Sequence, residues 1–184
     1  MSRLTIVIGP MFSGKSTYLI KQINNFKDKN SLLSINHSID NRYDYNKIVN
    51  HNKINVDCLS LTNIKDISKF NIDLHKFQHL FIDEAQFFND LEESVKFFLV
   101  TYPKLNITCV GLDGDYQQNV FNKGQLLNLI PHSDNLIKLY SKCYQCGKKA
   151  GFTKRINDFE NLEKNSQILV GSSDMYQPAC YIHK

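Results

Sequence analysis

An α/β fold is predicted by three stretches of this 184-residue chain. An apolar, β-branched run, Leu4 to Ile8, leads into Gly9-Pro-Met-Phe-Ser-Gly-Lys-Ser-Thr17 and then into a helical pattern. A second apolar run, His79 to Ile82, ends in the acidic pair Asp83-Glu84. Near the C-terminal end, Cys143-x-x-Cys146 and Cys180-x-x-His183 carry the spacing of metal ligands. Together they predict a phosphate-loop sheet flanked by helices over residues 1–140 and a small zinc-binding domain over residues 141–184.

The first stretch carries the most chemistry. Glycines at 9 and 14 permit backbone angles and approaches that a β-carbon would block, so successive N–H groups can turn toward one anion. The helix that follows, with Leu19, Ile20, Ile23 and Phe26 on one face, adds the positive end of its dipole. Lys15 supplies a charge for the β- and γ-phosphates, and the Ser16 hydroxyl suits Mg²⁺. These residues predict binding of a nucleoside triphosphate.

Composition sets bounds. Hydrophobic content of 42% with four prolines suits a packed domain, and a formal charge of +4 falls short of the basic face of a dedicated nucleic-acid binder. No apolar stretch approaches a membrane span, and the first reads as a strand rather than a secretory leader. Five cysteines, an odd number, argue against a secreted disulfide framework. The expectation is a soluble intracellular enzyme.

After the first helix, Leu32 to Asn36 reads as a strand, and Asp40-Asn41-Arg42-Tyr43 as a polar loop past its end. An acid and an arginine there suit phosphates and their metal, and they are equally ordinary loop residues. Val56 to Leu61 reads as a strand and Ile64 to Phe70 as a short helix. In the acidic pair, Asp83 is placed to hold Mg²⁺, and Glu84, one residue further, to take a proton from whatever attacks the γ-phosphate. Asp90 stands as N-cap of a helix over Leu91 to Thr101, where Leu91, Val95, Phe98 and Leu99 form a core stripe and Glu92 pairs with Lys96. Asn106 to Gly111 is a further buried strand. Tyr116 lies in the loop beyond it, where α/β sheets place ligands, although an aromatic there also serves packing. Asn135 to Tyr140 is the last strand of the sheet. Cys58 and Cys109 read as small buried side chains. The sulfurs of Cys143, Cys146 and Cys180 with the imidazole of His183 can close a tetrahedral structural zinc site, unless His183 is only a frayed terminus.

In order, Gly9 to Thr17, Asp40-x-Arg42-Tyr43, Ile82-Asp-Glu-Ala-Gln-Phe-Phe88, Leu112-Asp-Gly114, Lys138-Leu139, Cys143-x-x-Cys146, Phe152-Thr-Lys-Arg155 and Tyr176-x-x-x-Cys180 resemble the type II thymidine kinases, the cytosolic, bacterial and poxvirus-type family. The resemblance implies a RecA-like sheet and transfer of the γ-phosphoryl group of ATP to the 5′-hydroxyl of thymidine. It implies that Gly9, Pro10, Met11, Phe12, Ser13, Gly14, Lys15, Ser16, Asp40, Asn41, Arg42, Asp83 and Gln86 contact ATP and its Mg²⁺, with Ser16 and Asp83 on the metal. Glu84 matches the general base. Met11, Phe87, Leu112, Tyr116, Phe121 and Thr153 would line the thymine pocket. Gln167, Ile168, Leu169, Val170 and Gly171, with Tyr176, would form a lasso over the base. A cytoplasmic homotetramer, feedback inhibition by dTTP, and no nucleic-acid or membrane partner are implied as well.

The chain departs from the family at Gln118, Val120 and Asn122, where arginine, proline and glycine are usual, and at His183, where cysteine is commoner. A P-loop ATPase and a zinc-ribbon module for nucleic acid are the competing readings. An idle Tyr176 and lasso count against the first, and the mild charge against the second.

Overall fold

The computed structural model describes residues 3–39, 46–50, 52–156 and 175–184. The elements run β1 (Leu4–Ile8), α1 (Lys15–Asn25), β2 (Leu32–His37), β3 (Lys47–Val49), β4 (Asn55–Asp57), β5 (Leu59–Leu61), β6 (His79–Ile82), α2 (Leu91–Thr101), β7 (Asn106–Gly111) and β8 (Asn135–Lys138). Short Ile- and Val-rich runs become parallel strands when both sheet faces are covered, and here one six-stranded sheet forms in the order β5-β2-β6-β7-β1-β8. Every pairing within it is parallel.

Side-chain alternation assigns the two faces. Leu4, Ile6, Ile8, Leu80 and Ile82 pack with Leu91, Val95 and Phe98 of α2. Val7, Phe81 and Val110 pack with Leu19, Ile20 and Ile23 of α1. One step past Ile82 the alternation places Asp83 on the α1 face, and its N–H still bonds Ile35 O at 2.8 Å. Because all strands are parallel, their C-terminal ends share one edge. The phosphate loop, Asp83-Glu84 and Leu112 all emerge there, with β7 between the strands that carry the first two.

Three details differ from the expected pattern. Val56 to Leu61 is not one strand: β4 folds back on β3 in a hairpin and β5 joins the main sheet. The break falls at Cys58, whose N–H is drawn to Asn46 O at 2.9 Å. The last strand closes its ladder at Lys138, although Leu139 N–H still reaches Ile8 O at 2.8 Å. Asp90 begins α2 with its backbone carbonyl, but its carboxylate accepts from Ile64 N and Lys65 N, each at 3.0 Å, and so caps the 3₁₀ turn Ile64–Phe70. One acid thus ties two elements on the same face.

Beyond the sheet, β9 (Ser141–Lys142) pairs with β10 (Lys149–Ala150), and β11 (Phe152–Arg155) with β12 (Tyr176–Ala179), both antiparallel. Among the described residues no helix is long and apolar enough to cross a membrane.

The His79 ring stacks on Phe81, centroids 4.1 Å apart, and bonds Thr108 Oγ1 at 2.8 Å. Burial pushes its imidazole down to about 4. Below the ordinary value of about 6.5 the unfolded chain takes up a proton here that the folded chain refuses. Stability is therefore expected to fall as pH drops from about 6.5 toward 4, by up to ~1.4 kcal/mol per pH unit from this group. Denaturant melts of the wild type and His79→Gln at pH 7 and pH 5 check this, and an equal pH slope in both would refute it.

Candidate active site and metal centre

The phosphate loop leaves β1 through Gly9, where a β-carbon would stand 2.6 Å from Leu139 O. It enters α1 through Gly14, left-handed at φ 84. Neither position admits a side chain without strain. Lys15 Nζ bonds Pro10 O at 2.8 Å, reaching back across the turn. Ser13 Oγ is buried with no hydrogen-bond partner among the described residues, an orphan that an anion's oxygen or a bridging water would satisfy. Ser16 lies in the first turn of α1, and Asp83, at the end of β6, is 4% exposed.

Glu84 takes a left-handed conformation (φ 49, ψ 36), which turns the chain off β6 into a 3₁₀ turn over Ala85–Phe87. Gln86 Nε2 donates to Glu84 Oε2 at 2.7 Å, while Leu112 N–H donates to Gln86 Oε1 at 2.9 Å. Gln86, expected among the ATP contacts, is 1% exposed, with its amide engaged in this way.

The expected pocket residues meet in pairs around that edge. Phe87 and Phe121 stand edge to face at 5.7 Å. Met11 N–H donates to Thr153 Oγ1 at 3.0 Å, which fastens β11 to the phosphate loop. Arg155 covers the Tyr116 ring at 5.3 Å. Tyr176 pairs with Arg155 across β11 and β12, and burial raises its phenol above the ordinary value. Asp40, Asn41 and Arg42, and Gln167 to Gly171, lie outside the described residues.

The loop that lacks the usual arginine, proline and glycine is shaped by other means. Asp115 Oδ1 accepts from Gln117 N and Asn119 N, both at 2.8 Å. Gln118 and Asn122 adopt φ 67 and φ 43. Asparagine tolerates the left-handed region better than most residues, and here its Nδ2 also donates to Gln86 O at 2.8 Å.

Sequence reasoning assigned no role to three neighbours of the site. His37, at the C-terminal end of β2, meets Phe88 at 4.7 Å and Phe87 at 5.9 Å. Burial lowers its pKa, against opposing pulls from the Thr62 backbone, Glu84 and Asp90, and its Nδ1 accepts from Ile39 N–H. Its place at a strand end was the available signal. In the sequence Asn122 stands out only as a departure from the family pattern, and Arg155 only as part of a motif.

At the far end, Cys143, Cys146, Cys180 and His183 bring their ligand atoms within 4.8 Å of one another. A tetrahedral zinc site has edges of about 3.8 Å between sulfurs and about 3.5 Å from sulfur to nitrogen, given bonds of ~2.3 and ~2.0 Å. The Sγ–Sγ distance from Cys146 to Cys180 is 3.8 Å, and His183 Nδ1 lies 3.4 and 3.5 Å from Cys143 and Cys180. His183 Nδ1 thus stands at the distance from the sulfurs that a fourth corner of such a cage requires. Burial would raise the Cys143 thiol, but N–H donors of Cys180, Cys146 and Gln145 with the His183 side chain outweigh it and bring it to about 5. A thiolate is the form that ligates metal. Lys154 Nζ bonds His183 O at 3.0 Å, linking the cage to β11 and so to the phosphate loop.

The family model described as thymidine kinase matches residues 2–183. The chain belongs to the thymidine kinase family. It is 38% identical over 181 residues to thymidine kinase a of Arabidopsis thaliana, covering 97% of this chain and 73% of that protein. Against the thymidine kinase of vaccinia virus, strain Western Reserve, identity is 36% over 178 residues, 96% of this chain and 93% of the viral one. The thymidine kinase of Oryza sativa subsp. japonica is 32% identical over 182 residues, 97% of this chain and 64% of its own. The family is of the P-loop type, in keeping with the parallel six-stranded sheet and its flanking helices.

Proposed function

We propose that this chain is an ATP-dependent kinase that phosphorylates thymidine at its 5′-hydroxyl, giving thymidine monophosphate for nucleotide salvage. The bond from Met11 N–H to Thr153 Oγ1 carries the reading, because it sets the C-terminal strand pair directly against the phosphate loop. A simple ATPase has no use for that attachment. Glu84 accepts the hydroxyl proton as the 5′-oxygen bonds the γ-phosphorus and the bond to the β-phosphate oxygen breaks, releasing ADP. Gly9 to Ser16 wrap the phosphates, and Lys15 offsets charge on the transferring group. Ser16 and Asp83 would hold Mg²⁺, which neutralises phosphate charge when bound. Met11, Phe87, Leu112, Tyr116, Phe121, Thr153 and Tyr176 form the nucleoside pocket, and Gln167 to Gly171 pair with the base edge. An apolar floor beside the 5-position accepts the methyl group.

ATP consumption measured with and without thymidine tests the proposal. Consumption should depend strongly on thymidine and yield the monophosphate, whereas equal hydrolysis without nucleoside would indicate an ATPase.

We assign a nucleotide-binding domain to 1–140 and a zinc-binding lasso domain to 141–184, with zinc structural because four protein ligands leave no open position. Elemental analysis should give about one zinc per chain, kept in His183→Cys and lost or weakened in His183→Ala. Thymidine affinity should fall with it while ATP affinity is largely kept. Full zinc occupancy with unchanged thymidine affinity in His183→Ala would remove His183 from the site. A cytoplasmic homotetramer inhibited by dTTP completes the proposal. Exposed Leu136 on the edge strand β8, with Phe97 and Val100 on α2, is compatible with subunit contacts.

A further inference from the structure

We propose that Gln86 is a positioning residue that fixes the carboxylate of Glu84 for proton transfer, rather than a contact for ATP. The inference rests on Glu84 being the general base. Its geometric basis is a buried amide with only one workable orientation. Leu112 N–H can only donate, so it takes Gln86 Oε1, and the amide nitrogen is left facing Glu84 Oε2. The reversed amide would set donor against donor at Leu112 and acceptor against acceptor at Glu84. The bond to Glu84 is short at 2.7 Å and holds the accepting carboxylate in one rotamer.

The surroundings hold Gln86 as firmly as Gln86 holds Glu84. A β-carbon at Gly111 would collide with Gln86 Oε1 and stand 2.7 Å from Leu126 Cδ2, so the end of β7 must be bare for the amide to lie there. Asn122 Nδ2 holds the Gln86 carbonyl at 2.8 Å, from the position where the family usually carries glycine. Glu84 itself sits in a left-handed conformation that a residue with a β-carbon rarely adopts without support. At 1% exposure, Gln86 has little surface left to offer a nucleotide. Since β7 lies between the phosphate-loop strand and the Glu84 strand, its end is the natural peg for such a brace.

A double-mutant cycle tests this, using Glu84→Gln, Gln86→Met and both together. Gln86→Met keeps size and apolar burial but removes the donor. It is expected to lower kcat about ten- to a hundredfold, the cost of a misplaced catalytic group, with KM for thymidine and ATP within about twofold. Because Gln86 acts through Glu84, the same change in the Glu84→Gln background should lower kcat by less than about threefold. Gln86→Glu, which keeps the acceptor for Leu112 but turns a second carboxylate toward Glu84, should reproduce the kcat loss if Gln86→Met folds poorly. An undiminished loss in the Glu84→Gln background, or a rise in KM for ATP with kcat kept, would overturn the positioning role and leave the base in place. Near-normal turnover of Glu84→Gln alone would overturn the base assignment, and the positioning role with it.

Discussion

Glu84→Gln is expected to lower turnover by roughly a hundredfold or more while ATP still binds. The substitution keeps the size of the side chain and an acceptor oxygen, but removes the charge and the capacity to accept a proton. The fold should survive it, because Glu84 is half-buried and stands outside the two main core clusters. Its backbone turn is also held independently, by Phe87 N–H on Glu84 O at 3.1 Å. Single-turnover kinetics with saturating ATP and thymidine, beside ATP titration by calorimetry, separate chemistry from binding. Near-normal turnover would mean that another group accepts the hydroxyl proton. Weakened ATP binding with normal chemistry would move Glu84 from the acceptor to the donor side of the reaction.

Lys15→Met is expected to cost about a hundred- to a thousandfold in kcat, the scale of losing one preorganised charge from a transition state. Lys15 reaches Pro10 O across the phosphate loop, and Ser13 Oγ beside it is buried without a partner among the described residues. This is the placement expected of a charge that serves the phosphates rather than the nucleoside. Thymidine affinity by calorimetry should stay close to the wild type. Loss of thymidine binding in a variant that melts normally would show that Lys15 serves the acceptor instead.

Lys15 and Glu84 differ in how far local sequence fixes their surroundings. For Lys15 the chain alone sufficed: strand, glycine turn and helix are contiguous, so local geometry follows from local sequence. The same holds for α2, whose Leu91–Thr101 bounds coincide with the expected stripe, and for Glu92, which pairs with Lys96 at 2.6 Å. The Cys/His cluster was legible for a related reason, since each pair is a local knuckle with fixed spacing. What pairing could not supply was proof that the two knuckles meet, and the 3.4 to 3.8 Å separations provide it.

Glu84 stands between these cases. Its identity was readable from the acidic pair, but its αL turn was not, because residues with a β-carbon rarely adopt that conformation. Asp90 makes the same point. Local rules placed it at the start of α2, and its carboxylate went to Ile64 and Lys65, 26 and 25 residues away. The substituted loop at Gln118 to Asn122 could be recognised as unusual, yet only the fold shows Asp115 folding it and Asn122 bracing it against Gln86.

The sequence by itself determined most strands of the main sheet, the phosphate loop, the acidic pair and the two Cys/His pairs, all features encoded within a few consecutive residues. Only the tertiary structure decided the strand order that sets β7 between the phosphate loop and Glu84, the amide brace from Leu112 through Gln86 to Glu84, and the attachment of Thr153 to Met11. The physical reason is that a buried donor takes whichever acceptor packing brings within about 3 Å, and packing answers to the whole chain rather than to neighbours in sequence.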